Sequence, residues 1–75
     1  MKVWIATDAS WCNSFVRIYT LKPKYWDELI QQYEDDTNFY LCVCRGTLRR
    51  LLRGTGKRLP KHGTKEIVEI QLVAQ

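Results

Sequence analysis

Four short segments of the chain have the residue pattern of β-strands, and this feature limits the fold most strongly. They cover residues 2–7, 14–21, 38–45 and 65–73. In the first segment, Val3, Ile5 and Thr7 fall on one face and Trp4 and Ala6 on the other, which is the period-two alternation of a strand. The second segment alternates in the same way after a turn-rich stretch. We therefore expect it to pair antiparallel with the first.

The third and fourth segments complete a four-stranded sheet. Residues 38–45 are almost wholly apolar, which predicts a central strand buried on both faces. In residues 65–73, the alternation predicts that Val68, Ile70 and Leu72 point into the core.

A helical pattern interrupts the strands in residues 24–36. Trp26, Leu29, Ile30 and Tyr33 recur at positions i, i+3, i+4 and i+7, which is the apolar stripe of an amphipathic helix. The acidic residues that follow are unfavourable at a helix C-terminus. The sequence therefore predicts a first helix that ends near Tyr33.

A second, shorter helix is predicted over residues 48–53. Thr47 is a credible N-cap, and Gly54 follows the segment as a C-terminal glycine does. Three leucines share one side of this helix and three arginines the other: Leu48, Leu51 and Leu52; Arg49, Arg50 and Arg53.

These elements predict an α+β fold in a single domain, residues 1–75, with the order ββαβαβ. The sheet is expected to be mainly antiparallel, four-stranded and backed by two short helices. No apolar run approaches the ~20 residues of a transmembrane helix, so no membrane partner is expected. Three cysteines without a secretory leader indicate reduced thiols in the cytoplasm.

Basic residues are concentrated in one part of the chain. Residues 45–64 contain seven of the twelve Lys and Arg residues and no acid, whereas the other 55 residues contain five bases and all eight acids. A localised basic segment of this kind predicts a patch that faces an anion. The alternative is a solvated basic surface with no ligand.

The candidate binding residues all come from this segment. Arginine suits phosphate because its planar guanidinium makes paired hydrogen bonds, and the helix start at Gly46-Thr47 offers free backbone N–H groups. The predicted set is Arg45, Thr47, Arg49, Arg50, Arg53, Lys57, Arg58, Lys61 and His62. The same side chains would fit a nucleotide, a nucleic acid or an acidic protein surface.

Aromatic residues offer a second feature of a nucleic-acid interface, because bases stack on exposed rings in single-strand binders. The candidates for such stacking are Trp4, Trp11, Tyr25 and Tyr40. The alternative is that these rings fill the core of a small domain. The chain has three Trp, four Tyr and two Phe, which is many for 75 residues and is also compatible with a homodimer that buries some of these rings.

Metal binding and catalysis are not expected. Cys42 and Cys44 form a C-x-C pair inside an apolar strand, which fits two buried thiols better than the C-x₂₋₄-C spacing of zinc sites. His62 is the single histidine and has no partner histidine or other activated group near it in sequence. We predict no metal, no cofactor and no catalytic residue, with a small hydrolase around His62 as the weakest alternative.

The opening KVWIATD, with Lys22-Pro23 after the second strand, resembles small proteins encoded by bacteriophages and mobile elements. In those proteins a K-x-[WYL]-I-A-x-D strand begins a compact β-rich domain, and the likeness covers the first third of this chain. It implies a non-catalytic binder that inhibits a host defence factor, as anti-CRISPR proteins do, or sequesters a nucleotide signal. The alternative is a direct DNA- or RNA-binding module.

Overall fold

The computed structural model describes residues 1–8, 13–34 and 39–71 of the chain. Its elements in chain order are β1 (Lys2–Thr7), β2 (Phe15–Tyr19), β3 (Trp26–Asp27), β4 (Gln32–Tyr33), β5 (Tyr40–Cys44), α1 (Arg45–Leu52) and β6 (Ile67–Gln71). Four strands form one sheet in the spatial order β5-β2-β1-β6, and every pairing in it is antiparallel. The predicted α+β class, the four-stranded antiparallel sheet and the pairing of the first two strands are confirmed.

Helix α1 covers one face of the sheet, which we call the helix face. As predicted, Val3, Ile5 and Thr7 lie on one side of β1. Leu48 and Leu52 of α1 pack on the sheet with Ile5 and Val16 to form the core of this layer. Burial of a large aliphatic side chain contributes about 1.5–3 kcal/mol, so these leucines hold the helix firmly on the sheet.

The strands β3 and β4 form a hairpin that covers the opposite face, which we call the hairpin face. Tyr33 of β4 packs there with Ala6 and Tyr19 of the sheet. Trp26 meets Tyr33 edge-on with ring centroids 5.1 Å apart, a geometry that aromatic pairs favour.

The predicted helix over residues 24–36 is wrong. Trp26 pairs with Tyr33 across the hairpin, and Leu29 lies in its turn with 93% of its surface exposed. Asp27 accounts for the turn, because its carboxylate accepts the N–H of Leu29 at 2.9 Å and its carbonyl accepts the N–H of Gln31. Such local hydrogen bonds compete with helix formation.

Two further predictions of the strand arrangement are wrong. The apolar strand β5 lies at an edge of the sheet, whereas β1 and β2 are central. Because the hairpin replaces the first helix, the order ββαβαβ is not observed, and α1 is the single helix of the described residues. Val68 and Ile70 of β6 do pack against the helix-face core, while Leu72 lies outside the described residues.

Helix α1 begins three residues earlier than predicted. Cys44 occupies the N-cap position without a capping hydrogen bond from its side chain, so Thr47 is an exposed first-turn residue and not the N-cap. Gly54 follows the C-cap residue Arg53 and has φ +88°, a conformation that glycine adopts without steric cost, which confirms the predicted stop. Leu51 is exposed, so two of the three leucines face the core.

A buried ion pair fixes the hairpin face to the end of β1. Arg17 Nε donates to Asp8 Oδ1 at 2.9 Å, and the two side chains are 10% and 12% exposed. Arg17 also reaches the carbonyl of Tyr33 and lies 4.0 Å from the centroid of the Tyr40 ring. The guanidinium therefore links β1, β2, β4 and β5. Among the described residues no helix has the length and apolar character needed to cross a membrane.

Candidate functional site

A basic pocket of about 710 Å³ opens between α1 and the loop that follows it. We call residues 54–61 the basic loop. Six cations line the pocket: Arg45, Arg49, Arg53, Lys57, Arg58 and Lys61. Leu52, Leu59 and Pro60 add apolar surface beneath them. The lining therefore combines positive charge with an apolar floor.

The helix places its arginines at the pocket by simple periodicity. Arg45, Arg49 and Arg53 are spaced four residues apart, and side chains at i and i+4 share one face of a helix. Arg50 is rotated away from that row and does not line the pocket. Because Leu48 and Leu52 anchor the helix, the row of arginines has a fixed orientation.

Tight turns bring the basic loop back to the helix. Gly54 and Gly56 have φ +88° and +77°, which side-chain-bearing residues adopt at a cost. The Thr55 hydroxyl and N–H both donate to the carbonyl of Leu52, at 2.6 and 3.0 Å. At the far end of the loop, Pro60 is fully buried. These contacts form the second wall of the pocket.

Arg45 is the most constrained of the six cations. Its Nη1 donates to the carbonyl of Pro60 at 3.0 Å, which ties the helix to the basic loop. Its Nε and Nη2 atoms are buried and have no hydrogen-bond partner among the described residues. Burial lowers the pKa of this guanidinium, and the neighbouring charge of Arg49 lowers it further. The Nε–Nη2 edge is one that arginine uses for paired bonds to an anion.

No ion pair found in the described part of the chain includes a cation of the pocket, and the one carboxylate with a described contact there, Glu66, accepts the backbone N–H of Lys61 at 2.9 Å. These ion pairs are Lys2–Glu69, Arg17–Asp8 and Lys65–Glu28. Several like charges around one concave surface raise the local concentration of anions.

The structure brings six of the nine predicted binding residues into the pocket and places three elsewhere. Thr47 and Arg50 lie on exposed parts of α1 outside the lining. His62 Nδ1 lies 3.3 Å from Thr7 Oγ1, which also accepts the N–H of Gly63 at 3.1 Å. His62 therefore helps to join the end of the loop to β1.

The predicted stacking aromatics that the structure describes lie away from the basic pocket, on the other side of the sheet. Trp4 and Tyr40 lie on the hairpin face, where Trp4 packs against the cluster around Tyr19 and Tyr40 contacts Arg17. Tyr25 is exposed beside the hairpin. Trp11 lies outside the described residues. The sheet thus separates the described rings from the basic pocket.

The apolar floor is the part of the site that the sequence analysis missed. Leu59 and Pro60 lie between Arg58 and Lys61 in the sequence. This apolar Leu-Pro pair inside a basic run is the feature of the sequence that indicates an apolar part of the site. A buried Pro60 brings its carbonyl to Arg45 and so shapes the pocket.

The two cysteines of β5 are exposed, so the expectation that they are buried is wrong. The Cys42 thiol donates to Asp8 Oδ2 at 3.8 Å. The described residues contain no group of three metal-ligating side chains. The backbone N–H groups of Thr47 and Gly46, at the start of α1, lower the pKa of the Cys44 thiol, and the charge of Arg50 adds to this effect. A lowered pKa increases the thiolate fraction near neutral pH.

The lowered pKa of the Cys44 thiol predicts that this residue is alkylated selectively. At pH 7, iodoacetamide should modify Cys44 faster in the folded chain than in the same chain unfolded in urea, with the rate followed by peptide mass spectrometry. Arg50→Gln should reduce the ratio of the two rates, because it removes one of the stabilising charges. Equal rates in the folded and unfolded chain would contradict the effect of the helix start.

No family model, curated protein or solved structure matches this chain. The function is therefore inferred from the basic pocket itself.

Proposed function

We propose that the chain is a non-catalytic binding protein whose basic pocket holds the phosphate groups of a nucleotide. The observation that carries this proposal is the guanidinium of Arg45, with a buried and unpartnered Nε–Nη2 edge in a pocket lined by five more cations. A buried donor without a partner costs about 1–3 kcal/mol, and more when it belongs to a charged group. Two phosphate oxygens would satisfy both donors.

The composition of the lining supports binding in preference to turnover. Every polar side chain that lines the pocket belongs to arginine or lysine. Such groups attract and orient an anion, whereas hydrolysis also requires a group that accepts a proton or attacks the substrate. Because the two orphan atoms of Arg45 are covered from solvent, the side chain or its surroundings must shift for an oxygen to reach them.

The shape of the site favours a small nucleotide over an extended nucleic acid. Pockets for small ligands typically measure about 300–1,000 Å³ and combine apolar walls with a few polar groups. The basic pocket has this size, and Leu52, Leu59 and Pro60 provide its apolar part. A single-strand binder combines its basic groove with stacking rings, but Trp4 and Tyr40 lie on the opposite face.

The resemblance at the amino terminus suggests the biological context of this binding. A phage-type protein in the cytoplasm of a bacterial cell would act by occupancy. It would remove a nucleotide signal of host defence or block an acidic surface of a defence protein, as an anti-CRISPR-like inhibitor. Both modes use the same cations, and the nucleotide is the ligand that the pocket fits better.

Charge reversal in the pocket should abolish nucleotide binding. We expect ATP or a cyclic dinucleotide to bind the wild-type chain in low salt, and Arg49→Glu/Arg53→Glu to reduce the affinity at least about 100-fold, since two attractive charges become repulsive. Isothermal titration calorimetry measures both affinities. The matched control, Lys22→Glu/Lys24→Glu, changes the net charge equally but lies outside the pocket and should bind almost normally.

The same titrations separate the alternatives. Equal losses in both double variants would show that net charge, and not the pocket, controls binding. Tighter binding of a short single-stranded oligonucleotide than of any mononucleotide would favour the nucleic-acid module. The bound nucleotide should be recovered intact after denaturation, and recovery of a cleaved product would overturn the non-catalytic assignment.

A further inference from the structure

The row of arginines on α1 sets the distance between the cations along one wall of the basic pocket. Arg45, Arg49 and Arg53 are four residues apart, and all three line the pocket. Four residues of an α-helix rise about 6 Å, so the two ends of the row are about 12 Å apart along the helix axis. A ligand that meets the whole row therefore carries anionic groups that are at least about one helical turn apart.

The guanidinium of Arg45 is the fixed end of this row. Its bond to the carbonyl of Pro60, at 3.0 Å, holds it between the helix and the basic loop. Its Nε and Nη2 atoms, which have no hydrogen-bond partner among the described residues, match two oxygens of one phosphate group. Drawing the exposed side chains of Arg49 and Arg53 onto that same phosphate would bring like charges together, which is unfavourable. These two arginines are therefore better placed for a second phosphate.

The distance between phosphates distinguishes two kinds of nucleotide. In a nucleoside triphosphate, neighbouring phosphorus atoms share one bridging oxygen, so they lie much closer together than one helical turn of about 6 Å. In a dinucleotide, a ribose lies between the two phosphates, and several covalent bonds separate them. The arginine row therefore matches two phosphates with a sugar between them better than a chain of consecutive phosphates.

The apolar floor of the pocket fits the same class of ligand. Leu52, Leu59 and Pro60 line the pocket together with the cations. A polyphosphate chain has no apolar surface that these side chains could cover, whereas the sugars and bases of a dinucleotide do. Contact between the two apolar surfaces removes both from water and adds to the affinity.

We propose that the basic pocket prefers nucleotides in which a ribose separates two phosphates, the class of cyclic and short linear dinucleotides, over nucleoside triphosphates. This preference rests on the proposed function and names the ligand class of the same site. One phosphate accepts the Nε and Nη2 bonds of Arg45. The second lies beside Arg49 and Arg53, and the sugar between the two phosphates covers the apolar floor.

Calorimetric titrations with cyclic di-AMP, the linear dinucleotide pApA, ATP and AMP at one ionic strength test the ligand class. The two phosphates of cyclic di-AMP are diesters with one charge each, so ATP carries more negative charge and simple attraction would favour ATP. We expect both dinucleotides to bind at least about tenfold more tightly than ATP, and AMP to bind most weakly. The tighter of the two dinucleotides identifies a cyclic or a linear source. Binding of ATP as tight as that of the dinucleotides would overturn the preference.

Replacing Arg53 tests where the second phosphate lies. Its side chain is exposed, so Arg53→Gln should fold normally. We expect the affinity for cyclic di-AMP to fall at least about tenfold, because a hydrogen bond to a charged group is lost, and that for ATP to fall about threefold or less. The matched control, Arg50→Gln on the same helix outside the pocket, should change neither affinity. Equal losses for both ligands in Arg53→Gln would overturn the placement.

Failure of this preference differs measurably from failure of the proposed function. If ATP binds more tightly than both dinucleotides and Arg49→Glu/Arg53→Glu abolishes its binding, the nucleotide pocket stands and the dinucleotide preference is overturned. If no nucleotide binds, or if charge reversal leaves binding unchanged, the proposed function is overturned and the preference with it. Affinity that keeps rising as an oligonucleotide is lengthened beyond two residues would favour an extended strand and overturn the dinucleotide class.

Discussion

Replacing Arg45 with methionine is expected to lower the affinity for nucleotide about 100-fold while leaving the unliganded chain at least as stable as the wild type. Hydrogen bonds to charged groups contribute roughly 1.5–3 kcal/mol each, and the Nε–Nη2 edge can make two of them. Methionine fills a similar volume without burying a charge. Replacing buried charged groups by apolar ones of similar volume is often neutral or stabilising.

Two measurements on the same variant test this prediction. Calorimetry gives the loss of affinity, and thermal unfolding without ligand gives the change in stability. Arg50→Met is the matched control, because Arg50 lies on the same helix outside the pocket and should retain nucleotide binding. A strong loss of stability in Arg45→Met would mean that the bond from Arg45 Nη1 to Pro60 supports the fold and that Arg45 is a structural residue.

Removing the carboxylate of Asp8 should have the largest effect on stability. Asp8→Ala leaves the buried guanidinium of Arg17 without its ion-pair partner, a change that typically costs about 3–5 kcal/mol. A chain of this length has a total stability of only roughly 4–11 kcal/mol. Since each kcal/mol changes Tm by about 4–8 °C in a small domain, Tm should fall by at least about 12 °C.

An exposed ion pair provides the control for this experiment. Glu69→Ala removes the partner of Lys2, and both side chains are more than half exposed, so Tm should change little. Arg17→Met in the Asp8→Ala background should recover part of the lost stability, because no unpaired charge remains. Similar values of Tm for Asp8→Ala and Glu69→Ala would contradict the role assigned to the buried pair.

The central strands could be predicted because their pattern has one physical explanation. The alternation in β1 reflects burial on both of its faces. Ile5 packs against the leucines of α1 on one face, and Ala6 packs against Tyr33 of the hairpin on the other. In contrast, the spacing of Trp26 and Tyr33 has two explanations. Residues seven apart share a helix face, but they also lie opposite each other across a four-residue turn. The local hydrogen bonds of Asp27 favour the second arrangement.

At the basic pocket, the sequence likewise left open which residues would come together. The run of cations predicted the pocket, but the start of α1 decides which arginines enter it. With the helix beginning at Arg45, the row Arg45, Arg49 and Arg53 faces the basic loop and Arg50 does not. The apolar composition of β5 predicted a central strand, but the strand lies at an edge of the sheet and most of its residues are exposed.

A ¹⁵N-resolved NMR titration with inorganic triphosphate tests the basic pocket as a phosphate site most directly. The Nε–H of Arg45 gives its own resonance, which should move downfield and become protected from exchange as its hydrogen bond to phosphate forms. Amide signals of residues 49–59 and of Lys61 should shift with the same saturation curve, while those of Trp4 and Tyr40 on the hairpin face stay in place. An unchanged Arg45 Nε–H, or shifts confined to the hairpin face, would contradict the proposed site.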